Sequence, residues 1–135
     1  MRKRKPGGKV TEAEELLSEL IRLYKDVYGK HHVIVFEAVS ALGALQHSQS
    51  RIAEAEERYF ECFEGYRGVL GDTHPCTLKS ASEYGALLQE AGKMDEAEEL
   101  YKGVAAACAS KLGDSHPETV KVVAALESIL SGRIL

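Results

Sequence analysis

The sequence repeats itself every 42 residues. The tripeptide Ala-Glu-Glu begins at residues 13, 55 and 97. Two further markers keep the same interval: Gly29, Gly71 and Gly113, then His32, His74 and His116. Between the second and third units, residues 55–78 match residues 97–120 at ten of 24 positions. A fixed period of this length is typical of proteins in which small units stack, because one unit alone cannot bury its apolar face.

Each unit contains two amphipathic segments with apolar residues three and four positions apart, the spacing of a helix. The first segment begins at Pro75, a residue that suits the first turn of a helix, and the second ends at Gly113, a residue that commonly ends one. The same pattern predicts six helices, at 11–28, 33–49, 52–70, 75–91, 94–112 and 117–131. No segment alternates as a strand would, so the predicted fold class is all-α.

Small residues lie in the middle of the predicted helices, where glycine costs about 1 kcal/mol relative to alanine unless close packing requires it. These are Gly43, Ala44, Gly85 and Ala86, and we predict that a neighbouring helix approaches closely there. Ala13, Ala55 and Ala97 are predicted to form the matching contact. Four tyrosines fall mostly at core positions of the helices: Tyr59, Tyr66, Tyr84 and Tyr101.

The stretch from 87 to 101, which runs through the turn between two predicted helices, resembles the signature of the tetratricopeptide repeat. The following linker, residues 112–119, is similar to that of the 42-residue form found in kinesin light chains. The resemblance covers residues 11 to about 130. The first unit departs from it, since Ser50-Arg51-Ile52 replaces Gly-Lys-Met and no proline follows His32.

This resemblance implies a right-handed α-solenoid of antiparallel helix pairs. Its phase divides the chain into a disordered basic tail (1–10), a repeat domain (11–131) and a short C-terminal tail (132–135). Within the repeat domain we expect a half unit (11–30), two repeats (31–72 and 73–114) and a second half unit (115–131). A lone second helix thus opens the array, and a lone first helix closes it.

In this family the first helix of each pair lines a concave groove that holds a peptide or partner segment. Carried over position by position, the groove residues are Glu37, Ser40, Ala41, Ala44, His47, Lys79, Ser82, Glu83, Ala86, Gln89, Lys121, Ala124, Ala125 and Ser128. Members that clamp a terminal carboxylate use several basic residues and asparagines here. Only Lys79 and Lys121 are basic, against Glu37 and Glu83, so a carboxylate clamp is not expected.

Nothing in the sequence predicts an enzyme or a cofactor site. It contains no phosphate-binding loop and no nucleophile motif, and its carboxylates cluster at helix starts, where the helix dipole favours negative charge. The recurring histidines are interpreted as turn and capping residues, and no metal is predicted. The leading hypothesis is therefore a protein-binding scaffold.

Composition limits the partners. The net charge of −4 gives no general attraction to nucleic acid, and no apolar run approaches the length of a membrane span. Three cysteines, Cys62, Cys76 and Cys108, fall among helix-forming residues as small hydrophobes, which favours a reducing, cytoplasmic setting.

Two alternatives remain open. The apolar end, from Ile129 to Leu135, could pair copies into a homo-oligomer or longer superhelix. The basic tail, with five Lys or Arg among residues 1–9, could instead be a nuclear-import signal or an arm that contacts nucleic acid.

Overall fold

The structure is a computed structural model that describes residues 8–134, with side chains described through residue 132. This part of the chain contains six α-helices and no strand: α1 (Gly8–Tyr28), α2 (Val33–Ser48), α3 (Ile52–Leu70), α4 (Pro75–Glu90), α5 (Met94–Leu112) and α6 (Pro117–Ile134). The prediction of six helices in an all-α chain is confirmed. We call α2, α4 and α6 the first helices and α1, α3 and α5 the second helices.

The two outer helices are longer than predicted. α1 begins at Gly8, three residues before the predicted start, and the added turn half-buries Val10. α6 continues to Ile134 through Gly132, because a single glycine costs only about 1 kcal/mol within a helix. The predicted disordered tail lies outside the described residues as far as residue 7.

The helices form two compact units, one ending at Gly65 and the other beginning at Tyr66. In the first unit α1 packs against α2, and α2 packs against α3. Gly43 lies against Tyr59, and Gly65 lies against the ring of Phe36. Contacts therefore pair early residues of α2 with late residues of α3, which makes the two helices antiparallel.

In the second unit α4 packs against α5, and α5 packs against α6. Gly85 lies against the ring end of Tyr101, the counterpart of the Gly43–Tyr59 contact 42 residues earlier. The apolar core of this unit consists of Tyr66, Leu78, Ala81, Leu87, Leu88, Ala97, Tyr101, Val104, Cys108, Val122 and Ile129.

The prediction of close packing at the mid-helix glycines is confirmed, but one detail was wrong. Ala44 and Ala86 are exposed, because they lie one residue further round the helix than the glycines. The atoms nearest to the glycines belong to Arg58, Tyr59 and Tyr101, and Ala55 and Ala97 are fully buried in the same helices. Tyr59, Tyr66 and Tyr101 are buried as predicted, whereas Tyr84 is half-buried.

The repeated histidines cap helices, as predicted. The Nδ1 atoms of His32, His74 and His116 each accept a bond from a backbone N–H two residues later, at 3.1 Å in every case. A side chain that accepts in this way satisfies one of the free N–H groups at a helix start. The cap at His32 forms although Val33 stands where the other repeats have proline.

Candidate binding surface

On α2, the residues assigned to the groove lie in one stripe: Glu37, Ser40, Ala41, Ala44 and His47. Glu37, Ala41 and Ala44 are exposed, while Ser40 and His47 are half-buried. Their spacing of three and four residues places them on one side of the helix. The core side of α2 is formed by other positions, including Phe36, Val39 and Leu42. The stripe is therefore accessible while α2 is packed.

On α4, the corresponding stripe lies 42 residues later: Lys79, Ser82, Glu83, Ala86 and Gln89. Lys79, Ser82 and Ala86 are exposed, and Glu83 and Gln89 are half-buried. α6 continues the pattern with exposed Lys121, Ala124 and Ser128 and half-buried Ala125. We call these three stripes on α2, α4 and α6 the groove rows.

Tyr101, the buried tyrosine of α5, contacts α4 next to the groove residues of that helix. The hydroxyl of Tyr101 donates a hydrogen bond to the carbonyl oxygen of Ser82 at 3.5 Å, and its ring fills the space above Gly85. Burial raises the pKa of Tyr101, and a hydrogen bond with the Gln89 side chain opposes that shift. The backbone of Ser82 and the side chain of Gln89 thus both contact the buried tyrosine.

A charged cluster in the first unit was not predicted from the sequence. Arg51 Nη1 donates to Glu14 Oε2 of α1 at 2.6 Å, and its guanidinium also pairs with Glu54. The hydrogen bonds from Arg51 lower the pKa of Glu14 and of Glu54. Gln46 Nε2 donates to the same Glu14 at 3.5 Å. The sequence signal for this cluster was an arginine at position 51, where the repeat usually has lysine. Its partner in α1 could not be inferred from the sequence.

A cleft on the second helices of the first unit was also missed. It has a volume of about 480 Å³, and the rings of Phe36 and Phe60 line it together with Lys25, Lys30, His31, Glu57, Glu61, Glu64 and Gly65. Phe60 is 47% exposed, and its counterparts in the other units are Ser18 and Lys102. An aromatic residue at a position that is otherwise polar was the sequence signal for this cleft.

The cysteines and histidines of residues 8–132 belong to no metal-binding cluster. None of the three cysteines forms a disulfide, and within this range no three His, Cys, Asp or Glu side chains are placed to hold a metal ion. Cys62 and Cys108 are buried, and burial is the main cause that raises the pKa of Cys108. Cys76 is exposed and lies in the first turn of α4, next to the cap.

The packing and the exposed rows define a helical-repeat protein, and comparisons with known proteins show which repeat it resembles. The tetratricopeptide repeat family matches residues 37–102. This stretch, from α2 into α5, therefore resembles tetratricopeptide repeats. No curated protein sequence matches it at a significant level.

Two solved structures resemble the chain over nearly its whole length. Both come from Podosopora anserina and are described as kinesin light chain with nearly identical TPR-like repeats, one of them as a form with a single substitution. They superpose with TM-scores of 0.79 and 0.81 at 24% identity, covering 94% of this chain. The chain spans 60% of the length of each structure. The fold is therefore the all-α solenoid predicted from the repeat.

None of the helices in residues 8–134 combines the length and the hydropathy that crossing a bilayer requires.

Proposed function

We propose that this protein binds a segment of a partner protein through the groove rows. Tetratricopeptide repeats generally mediate protein–protein interactions and typically act as scaffolds without catalysis. The observation that carries the proposal is the recurrence of accessible polar and small residues at the same repeat positions of α2, α4 and α6. We infer binding without chemistry, so no catalytic residue or cofactor is proposed.

The side chains in the rows indicate what kind of segment would fit. Ala44, Ala86 and Ala124 are exposed and small, so they leave room for the side chains of a partner. Ser40, Ser82 and Gln89 supply hydroxyl and amide groups that can bond an extended peptide backbone. The favoured ligand is an internal, extended segment with mixed side chains.

The charges in the rows argue against a partner of a single sign. Lys79 lies on the same helix as Glu83, and the other charged members are Glu37 and Lys121. Two acidic and two basic residues give no strong preference for an acidic or a basic segment. Because the rows are short, we expect an affinity of about micromolar order.

The experiment compares blocked rows with equally bulky changes elsewhere. Ala44→Arg with Ala86→Arg places two long side chains in the rows, and both sites are exposed. The matched control is Ala53→Arg with Ala106→Arg, at exposed alanines of the second helices α3 and α5. Each tagged protein is used to capture partners from an extract, which are quantified by mass spectrometry.

We expect at least one partner to be captured by the original chain and by the control, but to be lost with the row variant. Isolated partner segments should then bind in titrations with the same ranking of the three proteins. Partners captured equally well by the row variant would contradict the proposal, provided that circular dichroism shows equal helix content.

The cellular setting remains a proposal. We infer an intracellular, reducing environment from the three cysteines, none of which forms a disulfide and one of which, Cys76, is exposed. The nucleic-acid and nuclear-import alternatives depend on the basic tail, most of which lies outside the described residues.

A further inference from the structure

Within residues 8–132, one apolar face of α6 is exposed. Val120, Val123 and Leu130 are 54%, 36% and 38% exposed. Their counterparts on α4, 42 residues earlier, are Leu78, Ala81 and Leu88, which are 6%, 2% and 1% exposed. The same stripe of α4 contains Gly85, which lies against Tyr101 of α5. α6 therefore exposes the stripe that α4 packs against the following second helix.

α1 presents the complementary face. Ala13, Leu17, Leu20 and Tyr24 are only half-buried in α1. Their counterparts are all buried, in α3 as Ala55, Tyr59, Cys62 and Tyr66 and in α5 as Ala97, Tyr101, Val104 and Cys108. In α3 these positions face the preceding first helix, since Tyr59 lies against Gly43 and the Cys62 thiol donates to the carbonyl of Phe36 at 3.3 Å.

Further apolar side chains widen the face of α1. Leu16, Leu23 and Val27 are 65%, 55% and 63% exposed, and each lies three or four residues from Leu20 or from another member of this stripe. Burying large aliphatic side chains of this kind is the main driving force for association of helices in water. An open second helix and an open first helix thus occur on the same molecule.

We propose that α6 of one copy packs antiparallel against α1 of a second copy, head to tail, in the way that α4 packs against α5. The internal pairs supply the register. Phe36 lies against Gly65 within the chain, and the equivalent residues in the proposed contact are Val120 and Leu23. Gly43 lies against Tyr59, and the equivalent residues are Glu127 and Leu17. The first of these proposed pairs has two side chains of intermediate size in place of one large and one small residue.

Glu127 against Leu17 fits in size at the helix spacing of α4–α5, whereas in α2–α3 a Cβ at Gly43 would lie 2.9 Å from the Cβ of Arg58. A Cβ atom at Gly85 would collide with Oη, Cζ and Cε2 of Tyr101, which are the outer atoms of that ring. Leucine has none of these atoms, so Leu17 leaves space for the Cβ of Glu127. Glu127 is exposed, and its carboxylate can extend from the edge of the helix pair toward solvent.

The proposed contact joins two different surfaces, so it leaves one α1 and one α6 open at the ends of every dimer. Such heterologous contacts add further copies unless the chain closes into a ring. Sedimentation equilibrium from ~10 to ~500 µM, a range suited to a small interface, should show a weight-average mass that rises well above the 14.8 kDa of one chain.

Two variants test the pairing directly. Val120→Glu blocks the α6 face, and Leu23→Glu blocks the α1 face. Each variant alone should remain a monomer. An equimolar mixture should form a dimer of one copy of each and nothing larger, because each variant retains the face that the other has lost. Val69→Glu, at a 46% exposed valine of α3, is the matched control and should associate like the original chain.

Three results would overturn the proposal: a monomer across the whole concentration range, a mixture that stays monomeric, or self-association that survives in either single variant. The last result would indicate a symmetric contact of like ends. Circular dichroism verifies the fold of each variant. If one loses helix content, Val123→Arg and Leu16→Arg repeat the test at neighbouring positions of the same two faces.

Discussion

The two complete helix pairs, α2–α3 and α4–α5, make the same turn from different residues. In the first turn the Ser50 N–H donates to His47 O at 2.9 Å, and the Arg51 N–H donates to Gln46 O at 3.0 Å. In the second, Gly92 and Lys93 make the equivalent bonds at 3.0 and 2.8 Å. Ser50 has φ 61°, close to the 79° of Gly92, although side chains disfavour this conformation.

The surroundings of the two turns differ. Beside the first turn, Arg51 pairs with Glu14 and Glu54, and Gln46 is buried. In the second pair the counterpart of Gln46 is Leu88, which is 1% exposed. The comparison teaches that backbone hydrogen bonds fix the turn, while the first pair adds a polar cluster where the second uses glycine and an apolar core.

The largest effect is expected at the contact that both pairs share. Gly85→Ala should lower the free energy of unfolding by about 1–3 kcal/mol, because the new methyl group overpacks against the buried ring of Tyr101. In a Tyr101→Leu background the colliding atoms are absent. The same change should then stabilise the helix by up to about 1 kcal/mol. Urea unfolding of the four proteins measures this reversal of sign.

Gly43→Ala is the companion change in the first pair. An added Cβ would lie 2.9 Å from the Cβ of Arg58, which cannot turn aside, so destabilisation is expected there too. If either alanine variant is more stable than the original chain, the tight glycine contact does not hold that pair together.

The capping histidines give the next largest effect. His74→Ala should cost about 0.5–2 kcal/mol, because the Cys76 N–H loses its acceptor at the start of α4. His74→Ser, which keeps an acceptor, should cost less than half as much. Thermal unfolding of both variants, and of the same changes at His32, checks the cap with and without a following proline. Equal losses for alanine and serine would show that the cap does not contribute.

A smaller change in stability is expected when the residues with left-handed φ, Ser50 and Gly92, are exchanged between the two turns. Gly92→Ser should destabilise the chain by about 0.5–1 kcal/mol, because the strain of left-handed φ for serine outweighs the lower entropy of its unfolded chain. Ser50→Gly should stabilise it by a similar amount. Chemical unfolding of the pair measures both. Shifts of the same sign at the two positions would contradict the view that the turns have one geometry.

The smallest effect is expected at the polar cluster of the first pair. Arg51→Met removes the pairing that lowers the pKa of Glu14 and Glu54. A carboxylate whose pKa is lower in the folded state stabilises the fold above its unfolded pKa, and that contribution is lost as the pH falls. The melting temperature of Arg51→Met should therefore be lower than that of the original chain at neutral pH, and this difference should shrink below about pH 4.

Lys102→Met is the control, since exposed Lys102 pairs with half-buried Glu98 at 3.6 Å within α5. Its effect on the melting temperature should be smaller at neutral pH. A difference for Arg51→Met that persists unchanged in acid would show that packing of the arginine stem, and not its charge, stabilises the first pair.

Much of the fold could be predicted from the sequence because it repeats. The period of 42 places His74 and Gly113 at helix boundaries, and apolar spacing defines the helices between them. The length of α6 was underestimated, since Gly132 resembles a helix end but has no left-handed φ. Contacts between helices were harder to predict: Gly85 meets Tyr101, and Arg51 meets Glu14, only because of how the helices pack.

The binding surface was predicted from repeat positions alone, so the structure tests only whether its residues are accessible. All nine polar members of the groove rows are exposed or half-buried. The identity of a ligand depends on a partner, and the repeat pattern encodes packing within this chain. The cleft at Phe60 depends on three separate segments and could not be assembled from spacing.

Hydrogen exchange with a captured partner tests the central claim most directly. The chain is exchanged alone and with a saturating partner segment, and peptides from each helix are compared by mass spectrometry. If the groove rows bind the segment, exchange slows in peptides of α2, α4 or α6, and the Ala44→Arg with Ala86→Arg variant loses this protection. Protection confined to α1, α3 and α5 would contradict the account and would place the partner on the second helices.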